Sequence, residues 1–288
     1  MSWKGRFGLV AGLLAVALAT TTAFPQETVC EARAKPRPAP VVAVPAPQLP
    51  ESSAPAIPAP DLAGALASAV DAAGGKLDLG LAVLDLRTGT LVDSYGDQPF
   101  YSASLSKLIL AVDMLQGPQS DDDLSLLTRA LSASDDTAMD ALWTSHDGMD
   151  AVSRVASLAG LTGTHAPDDP SQWGEVVVTA NDVTRLYQYV LASTGLRDFI
   201  VPALSAAPEI AADGFDQEFG LLGTGAVTKQ GWMYYLPSDV YLHSAGVVDD
   251  RYAVALLSVD QSGSWQAARS RVNAVTSALL AALRSPGQ

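Results

Sequence analysis

Hydrophobic residues along this chain follow two periods, and the change from one period to the other predicts where strands and helices lie. Alternating positions near both ends of the region after residue 60 predict strands over 77–86, 91–95, 226–235, 239–247 and 252–259. Apolar residues three and four positions apart predict helices over 61–73, 104–116, 123–131, 135–143, 149–158, 180–191 and 264–283. Strands at both ends with helices in the middle indicate a sheet assembled from both ends and a separate helical lobe.

This order predicts the α+β fold class, built as an α/β sandwich. We expect an antiparallel sheet with flanking N- and C-terminal helices, and an all-helical lobe packed beside the sheet. The cleft between the lobe and the sheet is the expected place for a functional site.

The first residues of the chain predict a targeting segment rather than part of the folded domain. Lys4 and Arg6 precede an apolar run over 7–19 and a small-residue cleavage site, so residues 1–23 are predicted to be a signal peptide. The run is shorter than the ~20 residues that span a bilayer, which disfavours the alternative of a permanent anchor. We therefore expect an exported protein, secreted or in the cell envelope, that touches a membrane only through an uncleaved leader.

Residues 24–60 are rich in proline and alanine, and this composition predicts an extended, semi-rigid linker. The linker contains Cys30, the single cysteine of the chain, so no internal disulfide can form. The residues before Cys30 lack the small and leucine pattern of a lipobox, and lipidation stays a minor alternative. The globular domain is predicted to cover residues 61–288, which fits one domain with two lobes.

Composition narrows the classes of function. The chain has 288 residues, is 48% hydrophobic and carries a formal net charge of −14, which favours a globular domain and argues against nucleic-acid binding. The three histidines and the cysteine do not fall in metal-binding motifs, so no metal is predicted, and no motif implies a cofactor. We expect a monomer that acts on a small-molecule substrate.

Three short strings carry the candidate chemistry: Ser104-Leu105-Ser106-Lys107, Ser134-Asp135-Asp136 and Lys229-Gln230-Gly231. Lysine is scarce, and two of the three lysines in the predicted domain fall in these strings. Taken alone, the second and third strings have ordinary explanations, as a helix cap and as a strand bulge. The joint occurrence of the three strings, each on a suitable element, favours a catalytic interpretation.

The first string suits nucleophilic catalysis. A serine hydroxyl is a weak nucleophile until a base takes its proton, and residues three apart share one face of a helix, so Ser104 and Lys107 should meet. The predicted helix is apolar on nearly all sides, and burial lowers the pKa of a lysine toward that of a useful base. The helix start also offers backbone N–H groups that can hold a developing oxyanion.

With these strings in this order, the chain resembles the class A serine β-lactamases and the penicillin-binding proteins. Residues 79–89 and 101–104 resemble the first strand pair and the nucleophile helix of the class A enzymes. Residues 134–138 resemble the S-D-N-T-A stretch of that family, and residues 179–186 resemble the helix that follows its catalytic loop. The resemblance implies a β-lactamase/transpeptidase-like fold and a serine hydrolase that is acylated by β-lactams.

The resemblance also implies a role for each matching residue. Ser104 would be the acylated nucleophile, Lys107 its base, and Ser134 the donor of a proton to the leaving nitrogen. The backbone N–H groups of Ser104 and Trp232 would form the oxyanion hole, and Lys229 would attract a substrate carboxylate. The residues implied to bind substrate are Asp136, Lys229, Gly231 and Trp232.

Two departures from the superfamily pattern affect the substrate site. Asp136 stands where the family has Asn, and so it is protonated, or paired with Lys107, or part of a different substrate site. Gln230 replaces a Thr or Ser whose hydroxyl could help to bind a carboxylate.

A third departure concerns deacylation. The loop over 161–178 contains Asp168, Asp169 and Glu175, but it lacks the E-x-x-L-N pattern that carries the deacylating glutamate of the family. Slow deacylation is typical of a penicillin-binding protein. Two alternatives therefore stay open: a D-alanyl-D-alanine peptidase acting on peptidoglycan stem peptides, and a catalytically impaired cell-envelope relative.

Two further interpretations have less support. A conventional Ser-His-Asp hydrolase is disfavoured because no G-x-S-x-G elbow appears. His243 follows the strand of Lys229 and is a candidate for the same cleft, although a place in the core or at the rim is the more common alternative.

Overall fold

A computed structural model describes residues 61–235 and 237–285 of the chain. The predicted signal peptide over 1–23 and the predicted linker over 24–60 lie outside the described residues, so both stay predictions. Within the described part, no helix is both long and apolar enough to cross a bilayer.

Each strand and helix that the hydrophobic pattern predicts is present, with its ends shifted by a few residues. The helices are α1 (Leu62–Ala73), α2 (Ser106–Met114), α3 (Asp121–Ser132), α4 (Asp136–Ser145), α5 (Gly148–Ala159), α6 (Ala180–Ala192), α7 (Thr194–Ser205) and α8 (Trp265–Arg284). The strands are β1 (Asp78–Asp85), β2 (Thr90–Ser94), β3 (Phe100–Tyr101), β4 (Val177–Val178), β5 (Val227–Tyr235), β6 (Asp239–Val248) and β7 (Tyr252–Asp260). Two 3₁₀ turns cover Ala103–Leu105 and Trp173–Glu175.

The main sheet joins strands from both ends of the domain, which confirms the predicted α+β class. Its order is β2-β1-β7-β6-β5, and every neighbouring pair in it is antiparallel. The first strand therefore lies beside the last strand, while β5 forms one edge. Strands β3 and β4 make a separate two-stranded ladder, and β3 directly precedes the 3₁₀ turn Ala103–Leu105.

The sheet separates two hydrophobic cores, as expected for a sandwich. Leu81 and Val83 of β1 pack with α1 and α8 on one face. Ala82 and Leu84, which alternate with them along the strand, pack with the middle helices on the other face. Because successive side chains of a strand point to opposite faces, one strand serves both cores. The helical lobe and the flanking helices thus lie on opposite sides of the sheet.

Polar side chains cap the helices that border the site. The carboxylate of Asp135 accepts a hydrogen bond from the N–H of Ala138 at 3.1 Å and so begins α4. The hydroxyl of Thr179 begins α6 in the same way, by accepting from the N–H of Asp182 at 3.1 Å. The second string therefore contains a true helix cap, and that cap fixes the residue before it, Ser134.

Candidate active site

Ser104, which the sequence predicts to begin a helix over 104–116, lies in the 3₁₀ turn Ala103–Leu105, directly before α2. This turn is called the nucleophile turn below, after the role predicted for Ser104. Ala103 has a φ of 46°, in the left-handed region that residues with a side chain rarely adopt. Its carbonyl oxygen is held by the hydroxyls of Ser102 at 3.1 Å and Ser106 at 3.0 Å. This network offsets the strained backbone and fixes the direction of the Ser104 side chain.

Lys107 contacts Ser104 as the spacing of the first string predicts. Its Nζ lies 2.8 Å from the Oγ of Ser104, 2.8 Å from the carbonyl oxygen of Ser134 and 2.5 Å from Oδ1 of Asp136. The Lys107 side chain is fully buried, whereas the Asp136 side chain is 54% exposed. Of the three alternatives for Asp136, the structure shows the ion pair with Lys107.

Ser134 connects the two lysines. Its Oγ lies 2.8 Å from Nζ of Lys229 and 3.3 Å from Nζ of Lys107. Its backbone has a φ of 55°, held between the Asp135 cap and the carbonyl contact to Lys107. Side chains from the three strings therefore meet, although the strings are far apart in the sequence. The group is called the serine–lysine cluster below and consists of Ser104, Lys107, Ser134 and Lys229.

Burial and charge act differently on the two lysines. Burial lowers the pKa of Lys107, and the carboxylate of Asp136 offsets part of that effect. Burial lowers the pKa of Lys229 much further, and the neighbouring charge of Lys107 adds to the decrease. Among the described residues, no carboxylate lies within salt-bridge distance of Lys229. The pair therefore consists of a partnered ammonium and an amine that is much easier to deprotonate.

Gly231 allows strand β5 to lie against the nucleophile turn. A Cβ at this position would lie 3.0 Å from the carbonyl oxygen of Ser102 and 3.4 Å from the backbone nitrogen of Ser104. A larger residue would therefore push the turn and the strand apart. Gly231 places the strand, and its backbone comes close to the predicted oxyanion site.

The orientation of the Trp232 N–H follows from a tyrosine inserted between two strands. The buried hydroxyl of Tyr187 donates to the carbonyl oxygen of Ala245 at 2.8 Å and accepts from the N–H of Lys229 at 3.1 Å. Lys229 and Ala245 are partners across β5 and β6, so the N–H of Lys229 faces β6. Because N–H directions alternate along a strand, the N–H of Trp232 faces the free edge of the sheet.

The side chain of Gln230 points away from the cluster. Its Oε1 accepts from Ser244 at 2.7 Å, and its Nε2 donates to the carbonyl oxygens of Gln217 and Phe219. The polar atoms that it presents are therefore all satisfied within the protein. The difference from a Thr or Ser at this position thus concerns the packing of the 217–219 segment.

The loop over 161–178 places an indole, rather than an acid, beside the cluster. The Trp173 ring lies with its centroid 4.7 Å from Nζ of Lys107, and its Nε1 donates to Asp140 at 2.7 Å. Asp169 is exposed and accepts from the N–H and hydroxyl of Ser171. Glu175 lies by Tyr235 instead, where its negative charge raises the pKa of that phenol. Asp168 is exposed to solvent.

A second tryptophan lies on the other side of the cluster, and it connects the site to an aspartate that the strings do not include. The Trp232 ring centroid is 5.9 Å from Nζ of Lys229, and its Nε1 donates to Asp213 at 3.1 Å. Phe215 stacks on the same indole at 4.9 Å. The sequence pattern contains no signal for Asp213, because only the folded loop brings Asp213 to the site.

His243 lies in the core and not in the cleft. Its Nδ1 accepts from the N–H of Ser258 at 3.0 Å, so its Nε2 carries the proton and donates to the carbonyl oxygen of Tyr101 at 2.8 Å. Burial lowers its pKa to about 4. His243 is therefore a neutral structural residue that supports the chain just before the nucleophile turn.

Comparisons with known proteins agree with this architecture. No protein-family model matches the chain. The chain is 31% identical over 235 residues to the proteins named "Putative lipoprotein LppW" of Mycobacterium bovis and of two strains of Mycobacterium tuberculosis. The aligned region covers 75% of this chain and 74% of each relative.

Solved structures show the same fold at low sequence identity. The TLA-3 extended-spectrum β-lactamase matches with a TM-score of 0.63 and 13% identity, over 78% of this chain and 100% of that one. The class A β-lactamase from Mycobacterium abscessus matches with a TM-score of 0.60 and 15% identity, over 77% of this chain and 100% of that one. The chain belongs to the LppW family, and its fold is that of the β-lactamase/transpeptidase-like superfamily.

Proposed function

We propose that the protein is an exported active-site-serine hydrolase that forms an acyl-enzyme at Ser104 with β-lactams and related acyl donors. The observation that supports this proposal most strongly is the contact of 2.8 Å between Nζ of Lys107 and Oγ of Ser104, inside a cluster that Ser134 extends to Lys229. A nucleophile, a base and a proton donor within hydrogen-bond reach are the parts that acyl transfer needs.

Acylation begins with proton transfer within the cluster. The proton of Ser104 moves to Nζ of Lys107 in its deprotonated form, which burial favours. The Ser104 oxygen forms a bond to the carbonyl carbon of the donor. The N–H groups of Ser104 and Trp232 stabilise the negative oxygen of the tetrahedral intermediate.

Collapse of the intermediate breaks the carbon–nitrogen bond. Ser134 gives its hydroxyl proton to the leaving nitrogen and takes a proton from Lys107, which returns to its deprotonated form. The proton that left Ser104 has then been transferred to the leaving group, and Ser104 carries the acyl group. The positions of Lys107 and Ser134, 3.3 Å apart, support this sequence.

The second half of a hydrolytic cycle has less support. The loop side chain beside Lys107 is Trp173, while Asp169 accepts from Ser171 and Glu175 lies by Tyr235. A long-lived acyl-enzyme follows from this arrangement. It favours a penicillin-binding protein or D-alanyl-D-alanine peptidase over an efficient β-lactamase, with a catalytically impaired envelope relative as the non-enzymatic alternative.

The proposed location is outside the cytoplasm, in the cell envelope or secreted. Two observations support it: the predicted signal peptide over residues 1–23, and the word lipoprotein in the names of the relatives. The relatives' name also gives Cys30 more weight as a lipid attachment site than its surrounding sequence does. Mass analysis of the protein recovered from its native membrane and medium tests both points.

Intact-mass analysis after incubation with acyl donors tests the proposed activity. The full chain is exposed to a fluorescent penicillin and, separately, to uncharged para-nitrophenyl acetate. We expect an adduct on the wild type and on Ser68→Ala, a control serine on α1, and none on Ser104→Ala. A persistent adduct supports the peptidase or penicillin-binding activity, and a transient one with product release supports a β-lactamase. If neither donor labels the wild type, acyl-enzyme chemistry is wrong; if Ser104→Ala is labelled, the nucleophile is wrong.

A further inference from the structure

The charges of the site have an uneven distribution between its interior and its surface. Lys107 and Lys229 are 0% and 1% exposed, so both positive groups are covered by protein. The carboxylates nearest to them are on the outside: the Asp136 side chain is 54% exposed and Asp213 is exposed. A substrate that approaches from solvent therefore meets negative charge first.

Neither lysine presents an exposed positive group to an anion. An ammonium has three protons, and those of Lys107 have acceptors in Ser104, Ser134 and Asp136 at 2.5–2.8 Å. Lys229 contacts Ser134 at 2.8 Å and the carbonyl oxygen of Gln230 at 2.9 Å, and burial disfavours its charged form. The attraction for a substrate carboxylate that the resemblance implies for Lys229 is therefore weak here.

Asp213 is held at the site and is not neutralised there. Its Oδ2 accepts from Nε1 of Trp232, whose ring is stacked on Phe215 with planes 14° apart. The negative charge of Asp213 raises the pKa of both Lys107 and Lys229, so its field extends over the whole cluster. In the described part of the chain, no Lys, Arg or His lies within salt-bridge distance of Asp213.

The other acids around the site have partners of their own. Asp135 pairs with Arg129, and Asp216 pairs with Arg269 at 3.0 Å. Lys107 is paired with Asp136, and Asp213 has only the buried Lys229, whose charged form burial disfavours, to compensate its charge. The mouth of the site is therefore net negative.

We infer that the acyl donor of this protein carries a cationic group, an ammonium or a similar nitrogen cation, which binds between Asp136 and Asp213 while Ser104 attacks the carbonyl. This inference rests on the proposed function, because it names the substrate class of the same site. A cation at the mouth meets one uncompensated carboxylate and one that is shared with Lys107. An anion there meets the same groups with the opposite sign of energy.

Three esters of nearly equal shape test this inference. They are the para-nitrophenyl esters of meta-trimethylammonio-, meta-tert-butyl- and meta-sulfo-benzoate, of which the first two differ in charge but hardly in size. The rate of acylation of the full chain is followed by nitrophenol release and intact mass, and each rate is divided by the uncatalysed hydrolysis rate of that ester. We expect the cationic ester to exceed the neutral one on the order of tenfold, as for a unit charge near a partly screened carboxylate, and the anionic ester to be slowest.

Two isosteric variants assign the preference to Asp213. Asp213→Asn keeps an oxygen for the N–H of Trp232 but loses the charge, so most of the cation preference should disappear. Asp71→Asn, at an exposed position of α1, makes the same change in net charge and should keep the preference. High salt should reduce the preference in the wild type, because Asp213 is exposed.

The outcomes separate the inference from the proposed function. If Ser104 is acylated equally fast by all three esters, or fastest by the anionic one, the inference is overturned and the serine chemistry stands. If no ester labels Ser104, the proposed function fails and the inference falls with it. If the cation preference is the same in Asp213→Asn as in the wild type, the assignment to Asp213 is overturned.

Discussion

The serine–lysine cluster and the loop over 161–178 lie against each other, and they differ in how completely they are equipped for chemistry. The cluster links the Ser104 hydroxyl, the Lys107 amine, the Ser134 hydroxyl and the Lys229 amine through consecutive contacts of 2.8, 3.3 and 2.8 Å. The loop presents the Trp173 ring to Lys107 and turns its acids elsewhere. The groups proposed to form an acyl-enzyme are thus close together, whereas the described contacts of Asp169 and Glu175 lie outside the cluster.

Under the proposed function, the two halves of a hydrolytic cycle would therefore depend on separate parts of the fold. The cluster is held by the sheet and two helix starts, where a change would disturb packing on several sides. The loop has only short elements, the turn Trp173–Glu175 and strand β4, and its side chains can change with less cost to the fold. Variants in the two parts should therefore have separable effects on acylation and on deacylation.

Removal of the Lys107 amine, the proposed base, should give the largest effect on the acylation rate. In Lys107→Ala, Ser104 loses the amine at 2.8 Å that takes its proton, and the acylation rate should fall on the order of 10²–10⁴-fold. The measurement is the rate of adduct formation by intact mass with an activated ester in excess.

An exposed lysine serves as the control for that variant. Lys76→Ala removes the same side chain outside the site and should keep the wild-type rate. Circular dichroism shows whether Lys107→Ala is folded, and Lys107→Arg supplies a second test, because it keeps the charge and loses the base. An acylation rate near that of the wild type in both variants would show that Lys107 is not the base.

The next largest effect is on protein stability, and it comes from His243, which supports the chain just before the nucleophile turn. His243 has a pKa of about 4 in the folded protein and about 6.5 when unfolded, so the unfolded chain binds a proton more readily between these values. The free energy of unfolding should therefore decrease as the pH falls from about 6.5 to about 4, by about 3 kcal/mol in total, since one pKa unit is worth about 1.4 kcal/mol.

Urea denaturation across this pH range measures that decrease. His243→Gln can keep a donor toward Tyr101 without titrating, and the decrease should then be much smaller. His165, which is exposed, provides the control, because His165→Gln should leave the pH dependence unchanged. Equal pH dependence in the wild type and His243→Gln would contradict the assignment.

The amphipathic periods predict most of this fold because they record which face of each element is buried. The strands at residues 77–86 and 252–259 become neighbours, and the sheet is assembled from both ends, as the order of elements predicts. Helix α7 escapes prediction because Gly195 and Pro202 lie inside it, and both residues normally indicate a break. The two-residue strands β3 and β4 are too short to show any period.

The contacts in the site likewise divide into those that the sequence predicts and those that only the fold shows. The spacing of Ser104 and Lys107 predicts their contact, since neighbours along a helix are fixed by local geometry. Asp136 is recognisable as a departure from the family pattern, but only the fold shows which of its alternatives is realised. The contacts of Trp173 and Asp213 depend on how two loops close over the site, and no local pattern encodes that.

A smaller effect on the acylation rate should come from loss of the ion pair between Asp136 and Lys107. In Asp136→Asn, Lys107 stays buried but loses the carboxylate that offsets part of the decrease in its pKa. The pKa of Lys107 should therefore fall further, so the acid limb of the acylation–pH profile should move to lower pH, by a factor of ten in rate for each pH unit of displacement. Asp71→Asn, on the exposed surface of α1, should leave the limb in place. An acid limb that moves to higher pH in Asp136→Asn would contradict the ion pair.

The smallest effect is expected from the acids of the loop, and it completes the comparison. If none of Asp168, Asp169 and Glu175 acts on water at the acyl group, the variants Asp168→Asn, Asp169→Asn and Glu175→Gln should each change the decay rate of the acyl-enzyme less than about twofold, because a general base contributes 10²-fold or more. The decay is measured by isolating labelled protein and following the loss of adduct mass. A tenfold slower decay in any one of them would identify that residue as the base for deacylation, and the loop would then take part in a full hydrolytic cycle.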